Sequence, residues 1–411
     1  MNGEIEAAVA ALGNDSLRES EIERHIAPLF SRVWSTDRVY LANHSLGRPL
    51  DAMADDVAEA TTLWYERLGD AWDAWLEERE AFRARIAQLI GSPVAGCVVP
   101  KTSAGQGLRA VLNAMPGKPR VVSTRGEFDS IDVILKQYAA LGRIEMRWIE
   151  ADSSGDFGVE PLIDAVSRGA NLVVVSQVMF MTGQIIEGLD RLADLCHLRG
   201  ARLLVDSYHA IGVIPVDAAA LRCDFMIGGS YKYLRGGPGA CFLYISPDAL
   251  EGGLRPLDTG WFANAEEFAY QRPDPPVLKK GGDAFLESTP PILTWYQARS
   301  GQQFTLAMGV KRLRAYSLHQ LASLREHLAA AGVDSVIGGD AGHGAFLAIR
   351  LASATQLPPL LQEQGIITDA RGEWLRLCPD CLTRDEELRY AASVLGDLLH
   401  GRREPLSATS R

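Results

Sequence analysis

Two short stretches place an acid and an amine where one ligand could meet both. In ARLLVDSYHAIG, Asp206 ends an apolar run and His209 lies three residues on. In CDFMIGGSYKYLRGGPGACFLYI, Ser230, Tyr231 and Lys232 follow a second apolar run, and Gly236, Gly237 and Gly239 follow the lysine. A buried carboxylate keeps a nearby ring nitrogen protonated by favouring the charged pair. A lysine amine can add to a carbonyl and later move protons. These are the two requirements of pyridoxal 5'-phosphate (PLP), an electron sink that works best with its ring nitrogen protonated. Lys232 would carry the aldehyde as a Schiff base, Asp206 would face the ring nitrogen, and the glycines would let backbone approach the cofactor. Alone, a strand-terminal Asp is commonly a helix cap or a turn residue, and SYK says little. The combination carries the reading.

Such residues need a scaffold that brings strand ends together. Between Cys97 and Ile245, short β-branched runs (Arg120–Ser123, Asn171–Ser176, Ala201–Asp206, Phe225–Gly228, Ala240–Ile245) alternate with helical stretches such as Asp129–Leu141 and Leu189–Arg199. That alternation predicts a parallel sheet with right-handed crossovers. Ligands bind beyond the carboxyl ends of the strands in such sheets, which is where Asp206 and Lys232 fall. Asp51–Gly91 reads as one long amphipathic helix, Gly252–Pro291 as a loop rich in Gly, Pro and aromatics, and Trp295–Ala331 as a further helix. Short strands near Ala345–Leu351 and Trp374–Leu377 suggest a small α+β lobe. The expected division is an N-terminal arm and small-lobe segment over 1–50, a large cofactor-binding domain over 51–300, a small domain over 301–403 and a disordered tail over 404–411.

Composition narrows the partners. The net charge is -11 and the basic residues are scattered, so no basic face for nucleic acid is expected. The start, MNGEIEAAVAALGNDS, lacks a signal-peptide pattern, and no apolar run reaches the ~20 residues that span a bilayer. Of six cysteines only Cys378 and Cys381 are closely spaced, and one CxxC is weak evidence for zinc. A reduced, cytoplasmic protein with no metal is expected.

At the Asp206 and Lys232 segments the chain resembles class V, fold-type I PLP enzymes, and within them kynureninase. DSYHAIG and GGSYKYLRGGPG are similar to that family's DxAHAxG and CSYKYLNxGPG segments. LANHSLGRPL (Leu41–Leu50), SQVMFMTGQ (Ser176–Gln184), GWF (Gly260–Phe262), FLESTPPIL (Phe285–Leu293) and ITDARGEWLRLCP (Ile367–Pro379) follow in the family's order. The resemblance implies an α/β fold with a mainly parallel seven-stranded sheet and a smaller α+β C-terminal domain. It implies a homodimer with shared active sites. Thr102 and Ser103 would hold the phosphate, helped by Tyr231 and, from the neighbouring subunit, by Trp261 and Thr289. Phe128 would stack on the pyridine ring, Ser176 and His209 would lie beside the cofactor, and Arg376 would clamp the substrate's α-carboxylate. The implied reaction is hydrolytic Cβ–Cγ cleavage of an α-amino acid, giving alanine and a carboxylic acid.

Three departures fall on the substrate half. Met179 stands where kynureninases have Asn or His. Ile131 occupies the position of an expected acid, with Asp132 one residue later. A histidine used near the substrate's aromatic ring has no counterpart in LWYERLGDAWDAW. A class V aminotransferase or a cysteine desulfurase-like lyase is therefore the alternative, although desulfurases use a cysteine upstream of the carboxylate-binding Arg and both close-set cysteines here follow Arg376.

Overall fold

The computed structural model describes residues 3–34 and 38–401, so the tail expected over 404–411 lies outside the described residues. After the short strand β1 (Val39–Tyr40), seven strands build the principal sheet. They are β2 (Val98–Lys101), β3 (Arg120–Thr124), β4 (Glu145–Ile149), β5 (Leu172–Ser176), β6 (Arg202–Asp206), β7 (Phe225–Gly229) and β8 (Cys241–Ile245). Their order is β2-β8-β7-β6-β5-β3-β4, and β8 runs antiparallel to both neighbours. The remaining pairings are parallel. This is the mainly parallel seven-stranded α/β sheet expected.

The central strands LVVVS and FMIGG are buried throughout, and RLLVD is buried from Leu203 on. Strands covered on both faces read as continuous apolar runs, which is why the sequence marks them. The two edge strands were not anticipated. β2 contains Pro100 and Lys101, and β4 (EMRWI) alternates charged with apolar residues and is partly exposed. Edge positions accept proline and charge, so their pattern is diluted.

Two expected helices are each two. Asp51–Gly91 divides into Ala52–Arg67 and Ala71–Leu89 at Leu68, whose φ is 48°. Trp295–Ala331 divides into Ile292–Met308 and Val310–Ala330 at Gly309, whose φ is 80°. A residue in left-handed backbone ends a helix, and glycine does so without a Cβ clash.

A second sheet lies toward the C-terminus, from β9 (Val336–Ile337), β10 (Leu347–Arg350), β12 (Asp369–Arg371) and β13 (Trp374–Leu377), ordered β12-β13-β10-β9 and antiparallel. β11 (Ile366–Ile367) instead pairs in parallel with β1, so the N-terminal segment joins the C-terminal lobe. Leu321, Leu324 and Leu328 from the helix Val310–Ala330 pack with Leu347, Ile349, Leu375 and Leu377 beneath this sheet. No described helix is long and apolar enough to cross a membrane.

Register positions the site. Ser176, Asp206 and Ile227 are neighbours across β5, β6 and β7. The carboxyl end of β3 leads through Thr124 to Glu127 and Phe128, and the end of β7 leads to Ser230, Tyr231 and Lys232. Four parallel strands therefore deliver polar residues to one edge.

Candidate active site

That edge opens into a cavity of about 630 Å³, whose walls include Thr102, Ser103, Phe128, Ser176, Asp206, His209, Tyr231 and Lys232. Eight of the residues picked out from sequence thus share one space. Ile131, Val133, Ile134, Val178 and Phe180 give it an apolar side.

Lys232 is only 5% exposed. Its Nζ lies 2.5 Å from His209 Nε2 and 5.4–5.6 Å from the ring centres of Phe128, Tyr208 and Tyr231. Burial drives its pKa down to about 7, with Asp206 opposing and Arg376 assisting. An amine close to neutrality at physiological pH is a usable nucleophile and base. Asp206 is also buried, accepts the Tyr208 backbone N–H at 2.9 Å, and is pushed up to about 6 by burial, against the pull of that bond and of Lys232. His209 is pushed well below the usual imidazole range by burial and then by Lys232 and Arg376, so it is a neutral ring. Among the described residues, its buried Nδ1 has no partner.

Other positions follow from local structure. Ser103 caps the helix Ala104–Ala114, its Oγ accepting the Gln106 N–H at 3.1 Å, which leaves the hydroxyl proton free for an anion at the helix start. Thr102 is more committed, since its N–H and hydroxyl both donate to Gln106 Oε1, at 2.7 and 3.0 Å. Phe128 meets Phe180 edge-on, with ring centres 5.4 Å apart. Burial pushes the Tyr231 hydroxyl up to about 12, so it remains a donor.

Three expected residues are not on this cavity. Trp261 packs among Trp72, Phe262, Phe268 and Tyr270, and its N–H is donated to the Glu267 carbonyl at 2.5 Å. Thr289 lines a separate cavity of about 150 Å³ beside Lys101, Thr102 and Glu287. Arg376 is buried, with Nε and Nη2 paired to Asp369 at 2.9 and 2.6 Å and Nη1 donating to the Phe180 carbonyl at 2.5 Å. The glycines after Lys232 also differ from expectation. A Cβ on Gly236 would meet Ala298 and Ser230 at 2.7 Å, and one on Gly237 would strike Gln297. Both therefore allow a close approach to the helix Ile292–Met308, whereas Gly239 lines the cavity.

The substrate-half departures have physical counterparts. The Met179 methyl packs where a Cβ on Gly126 would lie, under the turn that carries Glu127. Ile131 lines the cavity, while Asp132 pairs with Lys136 at 2.6 Å along its own helix. Cys378 and Cys381 are buried, and burial raises both thiols to about 12.

Sequence reasoning passed over several residues here. Glu127 is buried beneath the cavity floor and bonded to Ser176 at 2.6 Å. Tyr208 and Cys241 face each other at 3.3 Å on the wall. His44 is fully buried, bonded to Asp369 at 2.9 Å, stacked on Phe346 and 6.5 Å from the His209 ring. Asp369 holds His44, Ser45 and Arg376 together. Asp369 lies in the ITDARGEWLRL segment already singled out, and it is the folded β12–β13 register that sets it opposite Arg376. Glu127 offers no signal beyond its position before Phe128.

The residues present fit PLP: an amine held near neutrality, a buried carboxylate across from it, a neutral imidazole with an unpartnered nitrogen, and a free hydroxyl at a helix start. Known proteins agree. An uncharacterized aminotransferase of Bacillus subtilis, YcbU, is 27% identical over 358 residues, covering 83% of this chain and 90% of its own. The kynureninase of Pseudomonas fluorescens is 28% identical over 291 residues, 68% of each chain. Among solved structures, the apo cysteine desulfurase of Thermococcus onnurineus superposes with a TM-score of 0.78 at 19% identity, covering 94% of this chain and 100% of its own. A C-DES mutant with glycine covalently linked to the PLP cofactor gives a TM-score of 0.80 at 18% identity, covering 90% and 98%. The family model described as aminotransferase class-V matches residues 67–374, and the chain belongs to that family as a PLP-dependent enzyme.

Proposed function

We propose that this enzyme cleaves the Cβ–Cγ bond of an α-amino acid bearing a γ-carbonyl, by hydrolysis of the kynureninase type, releasing alanine and a carboxylic acid. The observation that carries this reading is the buried amine of Lys232 in a cavity that also has an apolar side. Such a cavity suits an amino acid with a large flat side chain, and several kynureninases align with much of this chain.

When bound, the cofactor supplies a sink for negative charge developing on the substrate's carbons. Asp206 would hold a proton at the ring nitrogen. Ser103, Thr102 and Tyr231 would hold the phosphate, and Trp261 and Thr289 of a second subunit would complete that site in a homodimer. Phe128 would cover the ring. Lys232 takes the proton from the substrate's α-carbon, with neutral His209 orienting the amine. Arg376 has five N–H groups, of which Asp369 and the Phe180 carbonyl engage one each on its three nitrogens. The two remaining donors would be left for a substrate carboxylate reaching past the cavity wall, while Asp369 fixes the guanidinium plane. Tyr208, protonated and on the cavity wall, would be the donor toward the carbonyl that water attacks.

The aminotransferase reading has one observation in its favour, the alignment with YcbU over 90% of that protein's length. Kynurenine and 3-hydroxykynurenine, each incubated with the enzyme, separate the two. Alanine release supports hydrolysis. Conversion of the cofactor to its amine form with a keto acid as product would establish transamination, and turnover of neither would assign the apolar wall to another substrate.

A further inference from the structure

Beneath the cavity floor sits a second carboxyl that the reaction as described does not use. Glu127 is 3% exposed and, among the described residues, forms no ion pair. Its Oε1 accepts from Thr124 Oγ1 at 2.7 Å and its Oε2 from Ser176 Oγ at 2.6 Å. Ser176 lies beside Asp206 in the sheet, so two buried carboxyls share this floor, and Asp206, itself facing Lys232, is the charged neighbour that acts on Glu127. Two such groups side by side do not both ionise freely. A buried carboxylate without a cation is expensive, and one kept as a proton holder is not.

The two hydroxyls on Glu127 are not equivalent. Thr124 is fully buried, and its oxygen already accepts the Gly126 N–H at 3.2 Å. Ser176 opens on the cavity. A proton on Glu127 is therefore best placed on Oε2, where it donates to Ser176 Oγ and frees the serine's own proton.

We propose that Glu127 is a positioning residue that sets the polarity of Ser176: protonated, it turns the serine hydroxyl into a donor toward the bound cofactor, and ionised, it draws that hydroxyl to itself and leaves the cofactor only lone pairs. Burial supports the protonated state, since it raises the Glu127 carboxyl to about 7 against the two hydroxyl bonds. This inference rests on the cavity being the cofactor site and not on the hydrolytic reaction.

Two measurements test it, one without cofactor. Infrared difference spectra of the apo-protein across pH should show a protonated carboxyl that disappears as pH rises through neutrality. That signal should persist in Asp206→Asn, with its disappearance moved to lower pH, whereas Glu127→Gln should keep only the lower-pH signal of Asp206. Ser176→Ala should move its disappearance to higher pH, because a hydrogen bond to the ionised form is lost. In the holo-protein, the visible absorbance should titrate in a step that Glu127→Gln and Ser176→Ala both remove. An apo-protein with the same carboxyl signal in wild type and Glu127→Gln, or holo-protein titrations that superimpose for wild type, Glu127→Gln and Ser176→Ala, would overturn the proposal. A colourless holo-preparation with the infrared result intact would instead count against the cavity as cofactor site.

Discussion

Lys232 and Arg235 leave the same turn, three residues apart, and both cations are buried. Arg235 has a counter-ion in direct contact. Its Nη1 and Nη2 each reach Asp380 at 2.7 Å, and the guanidinium lies 5.4 Å from the rings of Phe30 and Phe304. Burial works against its charge, but Asp380 more than compensates and raises its pKa. Lys232 has no carboxylate in contact. Asp206 acts on it across the cavity, His209 is neutral, and burial prevails. One position joins the N-terminal segment to the C-terminal lobe through a permanent ion pair. The other keeps an amine able to lose its proton. A buried charge given a contacting counter-ion holds structure, and one left without such a contact is available for chemistry.

The contrast can be broken from either side. Lys232→Ala should cut turnover by about 10²–10⁴-fold or more, the range for a lost acid–base group, while leaving thermal stability near wild type. Asp380→Ala should do the reverse. It strands Arg235 and Arg48, which also reaches Asp380, and should lower unfolding free energy by roughly 3–5 kcal/mol in a denaturant titration. Equal stability losses in both variants would erase the distinction drawn between the two cations.

Arg376→Lys should cost roughly 2–5 kcal/mol of transition-state binding in kcat/KM, with cofactor absorbance unchanged, because lysine cannot satisfy Asp369 and a substrate carboxylate together. Loss of cofactor from this variant would mean that Arg376 supports the cofactor site and not the substrate. Glu127 gives a pH-dependent effect. Its folded pKa is raised, so its contribution to stability is complete below the ordinary value of 4.5 and is lost as pH climbs through about 7. The shift is worth roughly 3 kcal/mol. The apo wild type should therefore fall in stability relative to Glu127→Gln as pH rises through that window, and parallel curves would show that Glu127 ionises without penalty.

What the sequence made legible follows the same physics. β5, β6 and β7 carry apolar runs, so the polar residues that end them, Ser176, Asp206 and the Ser230–Lys232 run, stand out as candidate site residues. Arg376 was visible through its place in β13, but its pairing with Asp369 belongs to a hairpin register that residue types do not encode. Glu127 and His44 read as ordinary loop residues, because burial comes from elements far away in the chain: Phe346 covers His44, and β5 supplies the hydroxyl that meets Glu127. Leu68 breaks a helix through a backbone angle that its residue type does not suggest. The roles of Trp261 and Thr289 depend on a second subunit, and sedimentation of the holo-protein as an active monomer would remove them from the site.

The central claim is that Lys232 is a near-neutral amine that bears the cofactor. The most direct test adds PLP to the apo-protein at a series of pH values, traps the product with borohydride and maps the adduct by mass spectrometry. Capture should rise with pH through about 7 and the adduct should lie on Lys232. Capture that begins only near the ordinary lysine value of 10.5, or an adduct on another residue, would contradict it.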